Sequence, residues 1–505
     1  MSIPSGRAEK KIYQLIIGRL DGDRIGDAAY EENVRALVRR GIGGFIIFGG
    51  TRGVVRHFLR TLREEAEVPL LISSDIERGT GQQIRGTTLF PCQMALAAAF
   101  DICNPEEESL FDRVFQEIAR ESRDIGINMP LIPVLDVNQN PDNPIICTRA
   151  FSDNPETVAL FGLRVIRILA REGLLTCAKH FPGHGDTAAD SHISLPVIRK
   201  SQAEFMAIDL LPFQHAISAG VSSIMIGHLQ IPVFDTMPAS LSWQVITALL
   251  REKMGFEGLI MTDALNMHAL NGYGNVPAQC INAGVDILLH PRNPDQTAED
   301  IVCAIESGVV PERRIDNAVD RILMYKRRIQ ECTEPAKVEY QSNRDLAMQI
   351  FGMSITLVKD TPGVLPLAQK EKVTVLFCGD SSYFQDSPLK NWCGEALMLS
   401  RRDEMQEPVH EEIVVVAVFT SVAAWKGSSA IHQEEISGIR RLSGRANHSV
   451  VISFGSPYVL RYFSDADVLI AAYDASQEAQ QAAVRCLEGR SKFYGRLPVR
   501  FDFSR

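Results

Sequence analysis

Residues 178–196, AKHFPGHGDTAADSHISLP, bring together side chains that can transfer protons and bind polar substrates. The stretch contains three histidines, two aspartates and one lysine, which is more than a simple connection between elements requires. Two glycines and two prolines deny it regular secondary structure. We therefore expect a functional loop that can move during a reaction.

Within this stretch, Asp190 stands two residues before His192. In an extended backbone, positions i and i+2 face the same side, so the carboxylate and the imidazole can pair. A carboxylate bonded to one ring nitrogen fixes the tautomer and leaves the other nitrogen ready to exchange a proton near neutral pH. A satisfied surface pair is the alternative reading, but the polar loop around it favours proton transfer.

Lys179 and His180 close the apolar run LLTCAKH at the start of the same loop. A buried lysine needs acceptors for its three donors, and substrate hydroxyls are one possible source. Adjacent strand residues face opposite sides, so both side chains reach one pocket only if the strand bulges there.

Asp263 follows another apolar run in the segment MTDALNM. A carboxylate at this place suits catalysis in an α/β barrel. It equally suits an N-cap for a helix over ALNMHAL. The residues alone leave both readings open.

Eight short apolar runs alternate with helical patterns up to about residue 330, and six of the runs end in Asp or His. This rhythm predicts a TIM-like (β/α)8 barrel, whose active site gathers at the C-terminal ends of the strands. A doubly wound open sheet is the weaker alternative. The runs are IYQLIIG, GGFIIFG, PLLISSD, NMPLIPVLD, LLTCAKH, SSIMIGH, GLIMTD and VDILLH, beginning at Ile12 and ending at His290.

A linker is expected near residues 331–345, where periodicity is lost. After it, VTVLFCG, EIVVVAVFTS, HSVVISFGS and VLIAAYD alternate with helical stretches, which predicts a smaller three-layer α/β/α sandwich. We therefore divide the chain into a catalytic barrel over residues 1–335 and a C-terminal domain over residues 336–505. No GxGxxG or Walker motif supports a nucleotide site in the second domain.

The composition of the 505-residue chain bears on its partners and its location in the cell. A net charge of −10 offers no basic field for nucleic acid. The first residues carry only a short, interrupted apolar run, so we expect no signal peptide, no membrane association and a cytoplasmic protein. Among the ten cysteines, we expect Cys177, Cys303 and Cys378 to be buried reduced thiols, since they lie in apolar runs.

The motifs KHFPGHGDTAADSHISLP and MTDALNM closely resemble glycoside hydrolase family 3, in particular its two-domain β-N-acetylglucosaminidase branch. Further likeness covers nearly the whole chain, including SSDIERG, PVLDVNQNPDNP, TRAF, SIMIGHLQIPVFD, SITLVKD and SFGSPYVL. The resemblance implies that Asp263 is the nucleophile, His192 the general acid and base, and Asp190 its partner. It also implies a sugar-binding set of Asp75, Arg149, Lys179 and His180.

One segment departs from the family pattern. The family usually reads DQEGGRVQR, whereas this chain reads DIERGTGQQ from Asp75. Gln83 replaces a substrate-binding arginine, and Arg78 stands where glycine is common. The family's sugar contacts at the positions of Arg78 and Gln83 therefore do not carry over to this chain.

The implied reaction is retaining hydrolysis of terminal β-linked N-acetylglucosamine, with cell-wall muropeptides as the substrate of related enzymes. It needs no metal and no organic cofactor. Because a neutral histidine does not repel an anion, a phosphorylase is an alternative. Others are a metal-dependent hydrolase with His180, His184, His192 and a carboxylate as ligands, and an inactive sugar-binding protein. All the implied catalytic and sugar-binding residues precede residue 270, so the second domain should be supportive: buttressing the barrel, orienting long substrates or forming a homodimer contact.

Overall fold

The computed structural model describes residues 8–188, 190–191, 194–330, 337–367, 369–399, 412–420 and 431–502. By its contacts the chain forms two compact units. Unit 1 comprises residues 1–89, 112–137 and 155–343, and unit 2 comprises residues 90–111, 138–154 and 344–505. Among the described residues, no helix is long and apolar enough to cross a membrane.

Unit 1 is a closed ring of eight parallel strands. A five-stranded sheet runs in the order β10-β1-β2-β3-β4, and a three-stranded sheet runs in the order β5-β6-β9. Parallel bridges from Val134 to Lys179 and from Met261 to Ile287 join the two sheets. The strands are β1 (Ile16–Asp21), β2 (Gly44–Phe48), β3 (Leu71–Ser74), β4 (Met129–Pro130), β5 (Cys177–Phe181), β6 (Ser223–Ile226), β9 (Leu259–Thr262) and β10 (Leu288–Leu289).

The predicted barrel is confirmed, and each of the eight apolar runs contributes one strand. These strands are buried along nearly their whole length, because barrel strands pack side chains on both faces. The first run, IYQLIIG, is only partly a strand. Its residues Ile12–Gln14 complete helix α1, and the strand begins at Ile16. A short apolar run fits a buried helix as well as a strand, so periodicity could not separate the two.

Helices cover the outside of the ring, as the βα rhythm requires. They are α1 (Ala8–Gln14), α2 (Ala28–Arg40), α3 (Arg52–Glu65), α5 (Pro105–Ile125), α6 (Pro155–Arg171), α7 (Gln202–Ala207), α8 (Leu211–Ser218), a π-helix (Gln244–Lys253), α9 (Val276–Ala283), α10 (Pro294–Glu306) and α11 (Glu312–Gln330). The next helix, α12 (Tyr340–Ser354), begins in unit 1, but most of its residues belong to unit 2. A two-stranded hairpin, β7 (Gln230–Ile231) and β8 (Asp235–Pro238), interrupts the rhythm after β6.

Unit 2 is built on a six-stranded sheet in the order β11-β16-β15-β14-β12-β13, with only β11 antiparallel to its neighbour. This agrees with the predicted α/β domain. The strands are β11 (Thr356–Lys359), β12 (Val373–Gly379), β13 (Glu395–Met398), β14 (Ile413–Phe419), β15 (His448–Phe454) and β16 (Val468–Ala471). The helices are α4 (Gln93–Ala99), α13 (Pro388–Trp392), α14 (Gln433–Ser443) and α15 (Gln477–Leu487).

Two segments from the first half of the chain belong to unit 2 by contact, namely residues 90–111 and 138–154. Met94 and Ala95 of the first segment, and Cys147 of the second, are buried in the same apolar core as β14 and β15. A single boundary near residue 335 therefore differs from the division by contacts. The predicted linker residues 331–336 lie outside the described residues.

The cysteine prediction is right for two of three positions. Cys177 and Cys378 are buried free thiols, and burial raises the pKa of Cys177 to about 12. Cys303 is an exposed free thiol, which corrects the expectation of burial. It lies on α10, an amphipathic helix on which an apolar neighbourhood in sequence does not imply the buried face.

Candidate active site

The ring of parallel strands brings polar residues to one end of the barrel. Asp75 directly follows β3, Lys179 and His180 lie in β5, and Asp263 directly follows β9. Parallel strands in one closed barrel present their C-terminal ends at the same rim. The topology therefore gathers residues that are far apart in the sequence.

Lys179 is fully buried and forms two ion pairs. Its Nζ lies 2.7 Å from Oδ1 of Asp75 and 2.8 Å from Oε1 of Glu77. Protein carboxylates therefore meet the requirement for acceptors that the sequence left to substrate hydroxyls. Glu77 was missed from the sequence, although its place two residues after Asp75 is a detectable signal.

His180 reaches the barrel interior because β5 is irregular. The pairing of β5 with β6 shifts register between Ala178 and Phe181, so the predicted bulge is confirmed. The Nδ1 atom of His180 lies 2.7 Å from Oδ2 of Asp136, which is completely buried. An ionised carboxylate only accepts, so Nδ1 of His180 carries the proton.

Asp136 also binds the motif loop. Its Oδ1 accepts a hydrogen bond of 2.7 Å from the backbone N–H of His184 and a longer one of 3.3 Å from the N–H of His180. Burial raises the pKa of this carboxyl, but His180, His184 and the backbone donor outweigh burial and hold the pKa below its usual value. The ionised Asp136, which follows β4 in the chain, thus binds both the end of β5 and the motif loop.

Asp263 is partly exposed beyond the end of β9. Its N–H donates to the carbonyl of Ile226, and its Oδ1 accepts from the N–H of Ala264 at 2.7 Å. No α-helix starts here, since the next one is α9, whose N-cap is Asn275. The helix-capping reading of Asp263 is therefore wrong, because the chain turns after β9 before any helix begins.

The motif loop is pressed against the barrel where its glycines lie. A Cβ on Gly185 would collide with the carbonyl oxygen of Val137. Gly183 has φ of +138°, and a Cβ there would come within 2.8 Å of Asp209. Only glycine permits such close backbone approach, so both positions fix how the loop leaves β5.

His184 is completely buried inside the loop. Its Nδ1 lies 2.8 Å from Oγ1 of Thr187, and its Nε2 lies 3.1 Å from Oγ of Ser191. Burial lowers the pKa of His184 to about 4, against the opposing effect of the Asp136 and Asp263 carboxylates. The imidazole is therefore neutral at physiological pH.

Asp190 and Ser191 are both buried. The carbonyl of Asp190 accepts a hydrogen bond from the N–H of Ser194 at 3.0 Å, which closes a turn. His192 lies outside the described residues. The pairing of Asp190 with His192 therefore stays a prediction.

A second anchor holds the loop through Lys200. Its Nζ lies 3.3 Å from Asp186 in the loop and 3.0 Å from Asp209 after α7. Burial raises the pKa of Asp209 to about 6, although Lys200 opposes this effect. The loop is thus attached on one side through a carboxyl that titrates in mildly acidic solution.

The segment that departs from the family pattern packs onto the Asp75 backbone. Gln83 donates from Nε2 to the carbonyl of Asp75 at 3.2 Å, and the N–H of Arg78 donates to Gln82. Buried Glu121 accepts hydrogen bonds from Thr80 within this segment and from Thr88 just beyond it. Gln83 therefore supports the segment that carries Asp75.

Arg149 lies in unit 2, in a 3-10 turn over Cys147–Arg149. Its guanidinium donates to the carbonyl of Ile145 at 2.9 Å, and its own carbonyl accepts from Gln93. Among the described residues, no group of three or more histidines, cysteines or carboxylates is arranged to hold a metal ion.

The closed barrel, with acidic and basic groups collected at its C-terminal rim, defines an α/β-barrel enzyme. Residues 7–325 match the family described as Glycosyl hydrolase family 3 N terminal domain. The chain therefore belongs to glycoside hydrolase family 3 and is a glycoside hydrolase, as the motifs indicated.

Similar proteins agree with this assignment. A β-N-acetylglucosaminidase/β-glucosidase of Cellulomonas fimi is 28% identical, covering 91% of this chain and 88% of that protein. β-Hexosaminidase A of Pseudoalteromonas piscicida is 31% identical, covering 67% of this chain and 62% of that protein. The structure of a family 3 β-N-acetylglucosaminidase from Paenibacillus sp. str. FPU-7 aligns with a TM-score of 0.83 at 26% identity, covering 98% of this chain and 99% of that one.

Proposed function

We propose that this chain is a retaining exo-β-N-acetylglucosaminidase. It removes terminal β-linked N-acetylglucosamine through a covalent glycosyl-enzyme on Asp263, with His192 as general acid and base and Asp190 as its partner. The observation that carries the proposal is the position of Asp263 at the rim that also holds the Asp75–Lys179 ion pair. The sugar-binding set in this proposal is Asp75, Arg149, Lys179 and His180.

The proposed reaction has two steps. A carboxylate oxygen of Asp263 attacks the anomeric carbon while the bond to the leaving oxygen breaks, and His192 gives its proton to that oxygen. In the second step His192 takes a proton from water, the resulting hydroxide attacks the anomeric carbon, and the Asp263 carboxylate is released. The charged Lys179 and the Nε2 atom of His180 are suited to bind sugar hydroxyls throughout.

Covalent trapping tests the nucleophile. A slow fluorinated substrate should leave the sugar on the peptide that contains Thr262-Asp263-Ala264, detected by mass spectrometry. Asp263→Asn should lower kcat by several orders of magnitude without lowering Tm, because the carboxylate lies beyond the strand end. Asp316→Asn, on the outer helix α11, is the matched control. Label on another carboxylate, or near-normal turnover of Asp263→Asn, would refute the assignment.

We favour hydrolysis over phosphorolysis, because the sequence carries no dedicated phosphate-binding motif. The fold is also shared with a β-glucoside phosphorylase, at a TM-score of 0.87 and 23% identity, so the reaction should be run with and without phosphate. Sugar 1-phosphate as the main product would replace hydrolysis by phosphorolysis.

The proposed natural substrates are N-acetylglucosaminyl muropeptides from cell-wall turnover, processed in the cytoplasm. Two relatives are named for N-acetylglucosaminidase or hexosaminidase activity, and the buried free thiols Cys177 and Cys378 suit a reducing compartment. A panel of N-acetylglucosaminides, glucosides and purified muropeptides, compared by kcat/KM, tests the substrate class. A clear preference for glucosides would overturn it.

A further inference from the structure

His184 is a buried histidine of the motif loop to which the proposed mechanism gives no part. It is completely buried and makes contacts through both ring nitrogens and the backbone N–H. A buried imidazole with both nitrogens engaged is held in one orientation. A side chain held in this way can in turn hold a neighbouring part of the loop in place.

The hydrogen bonds around His184 determine its tautomer. The hydroxyl of Thr187 donates to the backbone carbonyl of His184 at 3.1 Å, which uses its only proton. The contact of 2.8 Å between Nδ1 and Oγ1 of Thr187 then requires Nδ1 to donate. In the neutral ring Nε2 is consequently an acceptor, and the hydroxyl of Ser191 donates to it at 3.1 Å.

His184 is also bound to the barrel through its backbone. The N–H of His184 donates to Oδ1 of Asp136 at 2.7 Å, and Asp136, which follows β4 in the chain, is completely buried. A Cβ on Gly227, which follows β6, would lie 3.7 Å from Cδ2 of His184, an ordinary van der Waals contact, so the ring packs close to this strand end. The imidazole is therefore a rigid extension of the barrel rim.

Ser191 has an exposed fraction of only 1%, and it stands between Asp190 and His192 in the sequence. We propose that His184 is a positioning residue for catalysis, which accepts the Ser191 hydroxyl at Nε2 and so fixes Ser191, the chain neighbour of both Asp190 and His192. This inference rests on the proposed function, because it gives His184 a purpose only if Asp190 and His192 handle the proton.

A positioning role differs measurably from a merely structural one. Loss of a structural hydrogen bond lowers Tm and affects all substrates alike. Loss of positioning impairs proton donation, which matters for glycosides with poor leaving groups and hardly at all for activated aryl glycosides. The dependence of kcat/KM on leaving-group pKa is therefore the decisive readout.

The experiment uses the full chain and a series of aryl N-acetylglucosaminides. Ser191→Ala removes the donor, His184→Ala removes the acceptor, and His184→Gln offers an amide oxygen in place of Nε2. Ser122→Ala is the matched control, because Ser122 is equally buried but donates to Ile118 within α5. His192→Ala, measured in parallel, reports on the proposed function itself.

We expect Ser191→Ala to lose roughly three- to tenfold in kcat/KM on poor leaving groups, the size of one hydrogen bond, and little on activated ones. The double variant His184→Ala/Ser191→Ala should lose no more than His184→Ala alone, and His184→Gln should recover part of the loss. Ser122→Ala should keep the normal leaving-group dependence. Should His184→Ala fail to fold, the Ser191→Ala series still decides the matter.

The positioning role is overturned if folded Ser191→Ala shows the normal dependence of kcat/KM on leaving-group pKa while His192→Ala shows a steeper dependence. The proposed function stands in that case. An unchanged dependence in His192→Ala overturns the proposed function and with it this inference. Additive losses in the double variant also contradict the inference, because two residues that act through one hydrogen bond cannot lose it twice.

Discussion

Oε1 of Glu77 lies 2.8 Å from Nζ of Lys179, and the exposed fractions of the two side chains are only 5% and 1%. Two carboxylates around one buried ammonium offset the cost of burying its charge. Glu77 therefore stabilises the ion pair between Asp75 and Lys179. We predict that Glu77→Gln raises KM for aryl N-acetylglucosaminides more than it lowers kcat, since Asp75 is then held more tightly by Lys179 and is less available to the sugar.

The Glu77 variants also differ in stability. Glu77→Gln keeps an acceptor for Lys179, whereas Glu77→Ala leaves the ammonium with one partner fewer, so we expect a loss on the order of 3 kcal/mol in unfolding free energy for Ala and less for Gln. Urea denaturation measures both. Glu339→Gln, in the exposed pair with Lys337, is the control and should change little. Equal stability of Glu77→Ala and the unmodified chain would contradict this account.

The bond between Asp136 and His180 predicts a change of tautomer. In Asp136→Asn, the amide oxygen remains with the backbone donors, and the amide nitrogen then faces Nδ1 of His180. Nδ1 must accept, so the proton moves to Nε2. Nitrogen-15 NMR of the histidine side chains distinguishes the two tautomers. A proton that stays on Nδ1 in the variant would refute the arrangement.

Asp209 predicts a specific pH dependence of stability. Its pKa is raised by burial to about 6, so between about pH 4 and pH 6 the folded state binds more protons than the unfolded state. The contribution of Asp209 to stability is then greatest below pH 4, falls as the pH rises to 6, and is smaller by about 3 kcal/mol above that range. Asp209→Asn lacks this dependence, so its Tm relative to the unmodified chain should rise from pH 4.5 to pH 7. A constant difference in Tm would contradict the raised pKa.

The segment of residues 138–154, which carries Arg149, is attached to unit 2 through Tyr458. The side-chain amide of Asn138 donates to the Tyr458 hydroxyl at 2.9 Å, and that hydroxyl is buried. We predict that Tyr458→Phe speeds hydrogen exchange within residues 138–154 and raises KM with a smaller effect on kcat. Tyr494→Phe is the control, because Tyr494 is 58% exposed. Unchanged exchange in the segment would show that this hydrogen bond does not hold it.

The attachment of Arg149 to unit 2 also changes what removal of the C-terminal part should do. The sequence suggested that a chain ending near residue 340 keeps the whole site, because every candidate lies before residue 270. By contact, however, the Arg149 segment belongs with the C-terminal residues, where the side chain of Ser152 donates to the carbonyl of Pro498. We expect such a truncation to loosen the Arg149 segment, measured as faster hydrogen exchange within residues 138–154.

Local patterns in the sequence were sufficient for the barrel strands and for the placement of Asp75, Lys179 and Asp263 at strand ends. The period of apolar side chains and the length of an apolar run depend only on residues close together in the sequence, so both can be read without knowledge of the fold. The bulge at His180 was also predictable, because two adjacent strand residues cannot otherwise face one pocket. Boundaries were weaker, as at Ile12–Gln14, where a short apolar run fits both a helix and a strand.

Only the tertiary structure decided which partners these residues have. Asp136 and His180 are 44 residues apart, and Lys179 is 104 residues from Asp75, so their pairing depends on how the strands close into a ring. Closure also places Glu77 on Lys179, and the packing of Cys147 into the core of unit 2 decides where the Arg149 segment belongs. Sequence spacing carries no information on such contacts, because they arise from the register between distant strands and from the burial of apolar surface shared by distant segments.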